Sequence, residues 1–412
     1  MSAGPWYLEP DFYSPLLPKF GLSEADYLAA MGEIAAVFPA NWAKRYAERD
    51  AAQGVEPSYP LALHPRPLGS LHTHLTHPLP YLLSGRTPTV YDLRELIRLG
   101  RDLHITKGIT RITSLRGDLR DKDQYIGRLF ELELLAEFVR ARLTPEIVGG
   151  PERKRPDFRV SVDGRDVYVE ARHRGVARAQ EIWDYVRLGL FGKEFGRLTI
   201  TVEEMGDVAK PKEEADKIVE DVNSIIAVER GDVTPVERRT YRIEHEPDGG
   251  PRQVRFRWGK ETYELDLRTR ITSALEEKRK QLETIESIKN GISIGLVAID
   301  VRSLILPRVS DEKRTAYRDA MEARYFPNLS AWREAMVSAM QAFVRASNSA
   351  SAVLAWWASD RDVLPTDNYD LSTSPYHQSI VTGEAEHPIG DHAALHRVLK
   401  ALQPRHTSPT GT

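Results

Sequence analysis

The sequence predicts a mixed α/β (α+β) chain, with a central sheet flanked by helices and a mostly helical N-terminal region, and three observations carry that prediction. From residue 117 onward, short apolar runs of period two alternate with longer runs of helical period. Asp-Gly and Gly-Gly pairs punctuate the short runs as turns do. Before residue 117, prolines interrupt patterns that are helical wherever they are regular.

Taken in order, Ser23 with Asp26 reads as a capping box opening a helix to Phe38, which resumes from Trp42 to Glu48. Prolines between Gly54 and Pro88 forbid long regular elements, and a further helix is expected from Tyr91 to His104. Residues 1–115 thus read as a helical, proline-rich accessory region. Over 116–360 the pattern gives helix 122–143, strands 157–162 and 165–172, helix 177–190, strand 197–203 and helix 211–228. A hairpin from Arg238 to Leu267 around Asp248-Gly249-Gly250 follows, then helix 268–289, strand 292–301, helices 311–323 and 330–346, and strand 351–358. Residues 361–412, rich in Ser, Thr, Pro, Gly and His, read as a loosely ordered tail.

Composition narrows the function classes. With 412 residues, 41% of them apolar, the chain can bury a substantial core and is not a disordered one. Sixty acids against 57 bases leave a net charge of −3, which does not announce a nucleic-acid binder. No cysteine is present, so disulfides, thiolate metal sites and cysteine nucleophiles are excluded. A stretch of about 18 apolar residues is also missing, as is a basic-then-hydrophobic leader, and the chain is expected to be soluble, cytoplasmic and free of the membrane.

The most informative segment runs from Pro156 to Arg172. Phe158, Val160 and Val162 alternate with polar residues, and so do Val167, Val169 and Ala171. Asp163-Gly164 suits a two-residue turn with positive φ at both positions. That turn sets Val160 against Val167, Phe158 against Val169 and Asp157 against Glu170. Two carboxylates then share one face with Cβ atoms roughly 4.5–5.5 Å apart, a repulsive arrangement unless a cation or a proton lies between them. Mg²⁺, held by oxygen, answers that need. Salt bridges from Arg159 and Arg172 on a solvated hairpin are the alternative.

A third acid points the same way. On the preceding helix, Glu133, Glu137 and Arg140 share a sector that reads as a solvent face, whereas Glu131 falls within the apolar arc of Phe130, Leu132, Leu134 and Val139. A carboxylate turned toward a core needs a partner. Arg142, one step away on the helical wheel, is the ordinary candidate.

Gly127-x-x-Phe130-Glu131, Arg155-Pro156-Asp157 and Tyr168-Val169-Glu170-Ala171-Arg172 occur in that order. The set resembles the PD-(D/E)XK nuclease superfamily, and in particular a bacterial branch with a "PDF … YVEA" hairpin. That branch also carries an "ALxxKxxQ" helix leading into an apolar strand, here Ala274 to Gln281 followed by Ile294 to Ile299. The likeness runs from residue 120 to 305, with 358 as its outer limit, and leaves residues 1–115 untouched.

The resemblance implies a restriction-endonuclease-like fold and Mg²⁺- or Mn²⁺-dependent hydrolysis of phosphodiesters in DNA, or RNA, in bacterial defence or repair. It implies Asp157, Glu170 and the Ala171 carbonyl as metal ligands, with Glu131 orienting the attacking water or holding a second ion. Arg172 stands where the superfamily has lysine, and a guanidinium cannot serve as a general base. It can still hold water or stabilise phosphoryl charge. Lys278, on the later helix, is the other source of an ammonium group, unless it is one more exposed charge on a basic face. A lineage that lost cleavage and kept binding nucleic acid or a partner protein is the competing reading.

Charge near the motif fits a nucleic-acid partner: from Phe138 to Arg178 ten Arg or Lys residues face six acids, and Arg153-Lys154-Arg155 immediately precede Pro156. A homodimer or protein partner is left open. His72, His74 and His77 lie among prolines and read as surface loop; Trp356 and Trp357 read as a buried strand.

Overall fold

The computed structural model describes residues 9–52, 79–83, 90–148 except 122, 156–173 except 163, 195–202, 211–227, 236–237, 241–246, 253–258, 260–302, 329–358 and 376–388 except 385, with isolated positions from 182 to 193. The chain divides into two compact units. Met1–Gly175, Thr272–Pro307 and Val337–Thr412 form the first; Val176–Ile271 and Arg308–Met336 form the second. In chain order the strands are β1 (Pro145–Ile147), β2 (Phe158–Val162), β3 (Arg165–His173), β4 (Arg197–Val202), β5 (Val236–Glu237) and β6 (Tyr241–Glu246), followed by β7 (Gln253–Trp258), β8 (Ile294–Asp300), β9 (Ala352–Ala358), β10 (Tyr376–Val381) and β11 (Glu386–Pro388). The predicted mixed α/β class is what the structure shows.

In the first unit, Ser23 caps the helix Glu24–Val37 by accepting from Asp26 N at 3.1 Å, as the sequence predicts. This helix packs on Val90–Thr106, where Gly100 lets the backbones meet: a Cβ there would collide with Ala30 O. Tyr27, Met31 and Ile34 belong to the same buried cluster as Phe130, Phe138, Phe158, Val169, Leu296 and Leu354. The described residues between 9 and 115 therefore share one core with the sheet instead of standing apart as an accessory region.

The sheet of this unit has the order β1-β2-β3-β8-β9-β10-β11. Its centre, β3-β8-β9, is parallel, and the flanking pairs are antiparallel. Phe158 pairs with Val169 and Val160 with Val167, the register the sequence predicts, and Gly164 has φ +77°. The helix Tyr125–Arg140 packs on the β3 side of the sheet, and the helix Lys260–Leu282 brings Leu282 against Gly295 on β8.

Three expectations are corrected here. Tyr376–Val381 and Glu386–Pro388, read as part of a loose tail, are strands of the main sheet. Ser379 in β10 is buried and accepts from Trp357 Nε1 at 2.6 Å, so a hydroxyl holds a core position and breaks the apolar alternation. Secondly, Glu133 and Glu137 do not face solvent, and of the three only Arg140 does, with 40% of its side chain exposed. Glu133 accepts from Arg302 Nη2 at 2.6 Å, Arg302 also grips Asp300 at 2.8 and 2.9 Å, and its guanidinium lies 5.2 Å from the Trp356 ring centre. Arg140 bridges Glu137 and Asp102.

The third correction lies in the second unit, whose sheet has the order β5-β6-β4-β7. No hairpin joins β6 to β7. Strand β4 lies between them, antiparallel to β6 and parallel to β7. Arg197 is the one charged residue of β4, whereas β6 and β7 carry several, so the most apolar strand takes the middle. Helix Pro211–Ala227 covers this sheet with Ala215, Ile218 and Val222 against Leu198, Ile200 and Ile243, and Tyr241 Oη donates to Asp221 Oδ2 at 2.8 Å. Ile182, Val186 and Leu190, within the expected helix 177–190, join that core at helical spacing. The expected helix 311–323 lies outside the described residues, and helix 268–289 is instead Lys260–Leu282 followed by Glu286–Lys289.

Candidate active site

The site belongs wholly to the first unit. Asp157 directly precedes β2, and its backbone carbonyl accepts from Val148 N at 3.1 Å. With the ladder beginning only at Phe158, the Asp157 side chain takes over the next partner: Oδ2 accepts from Ala171 N at 2.8 Å. In a strand a residue's N–H and C=O leave on the same edge, so the Ala171 carbonyl also points to the Asp157 side. Glu170, paired with Val297 of β8, alternates with the core residues Val169 and Ala171 and projects from the opposite face.

Lys278 completes the cluster. It stands on the buried stripe Ala274, Leu275, Lys278 and Leu282, and its side chain is 8% exposed. Its Nζ lies 2.9 Å from Glu170 Oε2 and 3.5 Å from Asp157 Oδ2. Burial works to lower the Lys278 pKa, but the two carboxylates outweigh it and hold the ammonium charged. Glu170 is fully buried, and among the described residues its Oε1 has no hydrogen-bond partner. Burial first, and then the Asp157 carboxylate, push Glu170 up to about 9 in spite of Lys278. One ammonium is thus too little positive charge for these two acids.

Glu131 is 13% exposed, with Arg128 Nη1 at 2.9 and 2.7 Å from its two oxygens. Burial and the charge of Asp157 raise it to about 7 against the pull of Arg128. Glu131 therefore feels the charge of Asp157, although among the described residues no hydrogen bond joins the two. Among the described residues no three His, Asp or Glu side chains stand close enough together to hold one ion.

Several sequence expectations resolve here. Arg159 pairs with Glu146 at 2.5 Å and Asp166 at 3.6 Å, and Arg172 pairs with Glu277 at 3.0 Å, so neither bridges the hairpin acids. Arg172 lies near enough for its charge to act on Lys278. Lys278 is not an exposed charge on a basic face. Glu131 is partnered by Arg128 and not by Arg142, which lies beyond the helix end with φ +62° and faces solvent. Arg128 went unnoticed in the sequence, although its position three residues before Glu131 was the available signal. Arg153, Lys154 and Arg155, and His72, His74 and His77, lie outside the described residues.

Comparison with protein-family models, with curated proteins and with solved structures gives no match. No helix among the described residues is long and apolar enough to cross a membrane.

Proposed function

We propose that this chain is a cytoplasmic, divalent-metal-dependent phosphodiesterase that cleaves nucleic acid, DNA in preference to RNA. The observation that carries the reading is Lys278, whose ammonium lies against both Asp157 and Glu170. The residues fit a Mg²⁺ or Mn²⁺ ion: two opposed carboxylates, a neighbouring carbonyl at Ala171, and a buried Glu170 oxygen without a partner all offer hard oxygen ligands. A bound divalent ion would neutralise the scissile phosphate and lower the pKa of the attacking water.

The protein's own groups have distinct parts in this reading. Asp157 and Glu170 hold the ion. Ala171 N fixes the Asp157 carboxylate, and the Lys278 ammonium keeps Glu170 and Asp157 together while facing the charge that develops on phosphorus. Glu131 orients the attacking water. Arg172, 37% exposed, contacts the substrate backbone from the rim. A setting in bacterial defence or repair follows only from the family resemblance.

A second reading, a silent binding protein, draws on the same ammonium and on the lack of an assembled three-acid set among the described residues. Incubation with supercoiled, linear and single-stranded DNA and with RNA, in Mg²⁺ or Mn²⁺ and in EDTA, separates them. The enzyme reading expects metal-dependent cleavage that Asp157→Ala and Glu170→Gln each reduce at least about 100-fold. Cleavage unchanged by Asp157→Ala sinks the mechanism; binding without cleavage in either metal supports the second reading.

A further inference from the structure

Arg128 occupies the first turn of the helix Tyr125–Arg140, at the solvent side of the site. Its Nη1 donates to both oxygens of Glu131, and its Nε lies 3.1 Å from Asp118 Oδ2. The charge of Asp157 acts on it as well. Among the described residues Nη2 has no hydrogen-bond partner. A third of the side chain is open to solvent, 33% against 8% for Lys278, so a substrate arriving from solution meets Arg128 before it meets the ammonium.

A guanidinium is a planar fork that binds carboxylate and phosphate by the same paired hydrogen bonds. In the free chain one nitrogen of that fork, Nη1, holds a largely buried carboxylate whose own position costs energy without a cation, and Nη2 is left over. A phosphate offers the fork an equivalent partner. Glu131, once released, lies in the field of Asp157 and Lys278, which already act on it.

We propose that Arg128 binds a backbone phosphate of DNA by exchanging Glu131 for it, and that the released Glu131 completes the acid set at Asp157 and Glu170. The inference rests on the reading of this site as one that handles phosphodiesters. It accounts for a site whose third acid is near but not assembled before substrate arrives. DNA and the divalent ion then bind cooperatively, each raising the affinity of the other.

The test is fluorescence anisotropy of a short labelled DNA, single-stranded and duplex, with the full chain in EDTA across a salt series. Arg128→Gln is expected to weaken binding about tenfold and to reduce the salt slope by about one, with Arg128→Lys restoring part of both. Glu131→Gln is expected to tighten binding, because the fork is no longer held by a charged partner. A pair that serves only the fold predicts the reverse for Glu131→Gln, namely unchanged or weaker binding with a lower melting temperature. Should Arg128→Gln fail to fold by circular dichroism, Glu131→Gln and Arg128→Lys decide the matter. The proposal is overturned by a folded Arg128→Gln that binds as the wild type does, by Glu131→Gln without tightening, or by a wild-type chain that binds no DNA. Asp157-dependent cleavage combined with an indifferent Arg128→Gln removes this inference alone. The expected binding shifts without cleavage in any metal remove the enzyme reading alone.

Discussion

Lys278 Nζ lies 2.9 Å from Glu170 Oε2 in a pair whose side chains are 8% and 0% exposed. Breaking a buried ion pair ordinarily costs about 3–5 kcal/mol, because one charge is left unpaired. Here burial and Asp157 push Glu170 up to about 9 even with Lys278 beside it, so near neutral pH the acid already holds a proton and removing Lys278 leaves little charge unpaired. Lys278→Met is accordingly expected to lose only about 1–3 kcal/mol in urea unfolding near neutral pH. If the chain cleaves as proposed, with the ammonium opposite the developing phosphoryl charge, cleavage is expected to fall about 100- to 1,000-fold. A variant that cuts as well as the wild type removes Lys278 from the chemistry.

Burial pushes Glu133 up to about 7, with the nearby Arg302 pulling against it, and Asp102 up to about 6, with Arg140 pulling against it. Both values lie above those of an unfolded carboxyl, about 4. Between the unfolded and folded values the folded chain binds the more protons, so stability must fall as pH rises. The stabilisation is fully present below the unfolded pKa and is lost as pH passes through 6 to 7; Glu131, raised to about 7, acts in the same direction. The melting temperature is therefore expected to drop between about pH 5 and about pH 8, and Glu133→Gln, which keeps an oxygen for Arg302, to flatten that drop. A melting temperature that climbs over this interval contradicts the assignment.

The hairpin was legible because a two-residue turn converts sequence spacing into register, and Asp157 and Glu170 followed by arithmetic. Glu131 was legible as an acid in an apolar arc. Its partner was not, because the helix stops at Arg140 and Arg142 leaves it with positive φ, whereas Arg128 stays on the helix. Lys278 could have been found from the stripe Ala274, Leu275, Lys278 and Leu282, but neighbouring Arg279 and Lys280 suggested an ordinary charged face. A helical wheel shows which residues share a face and not what covers it. Glu133 meets Arg302, and Arg140 meets Asp102 as well as Glu137; Arg302 and Asp102 come from distant parts of the chain, and no local pattern foretells that. The same limit hid β4 between β6 and β7.

Gly100 tests the single core that joins the N-terminal helices to the sheet. A methyl group there would run into the backbone of Ala30, which cannot move aside as a flexible side chain can. Gly100→Ala would gain about 1 kcal/mol of helix propensity in isolation. Overpacking at the helix crossing is expected to outweigh that gain and give a net loss of about 1–2 kcal/mol in denaturant unfolding. Because Tyr27 and Phe158 belong to one buried cluster, the transition is expected to remain single when followed by signals from both regions. Separate transitions would restore an independent region 1–115.

Arg172 and Lys278 both lie near the strand acids, and their surroundings assign them different parts. Arg172 pairs with Glu277 at 3.0 Å, with 37% and 51% of the two side chains exposed. Such a solvent-screened pair is worth at most about 1 kcal/mol, so Arg172→Ala is expected to leave the melting temperature nearly unchanged. At the rim, a guanidinium contributes to holding the substrate backbone equally in ground and transition states, which raises KM on removal and spares kcat. On the proposed reading Lys278, buried against the acids, would act where charge changes during reaction, and its loss is expected in kcat. Steady-state cleavage of one DNA substrate by Arg172→Ala and Lys278→Met separates the two effects. A large fall in kcat for Arg172→Ala with KM unchanged would return the strand arginine to the role that Lys278 holds in this geometry.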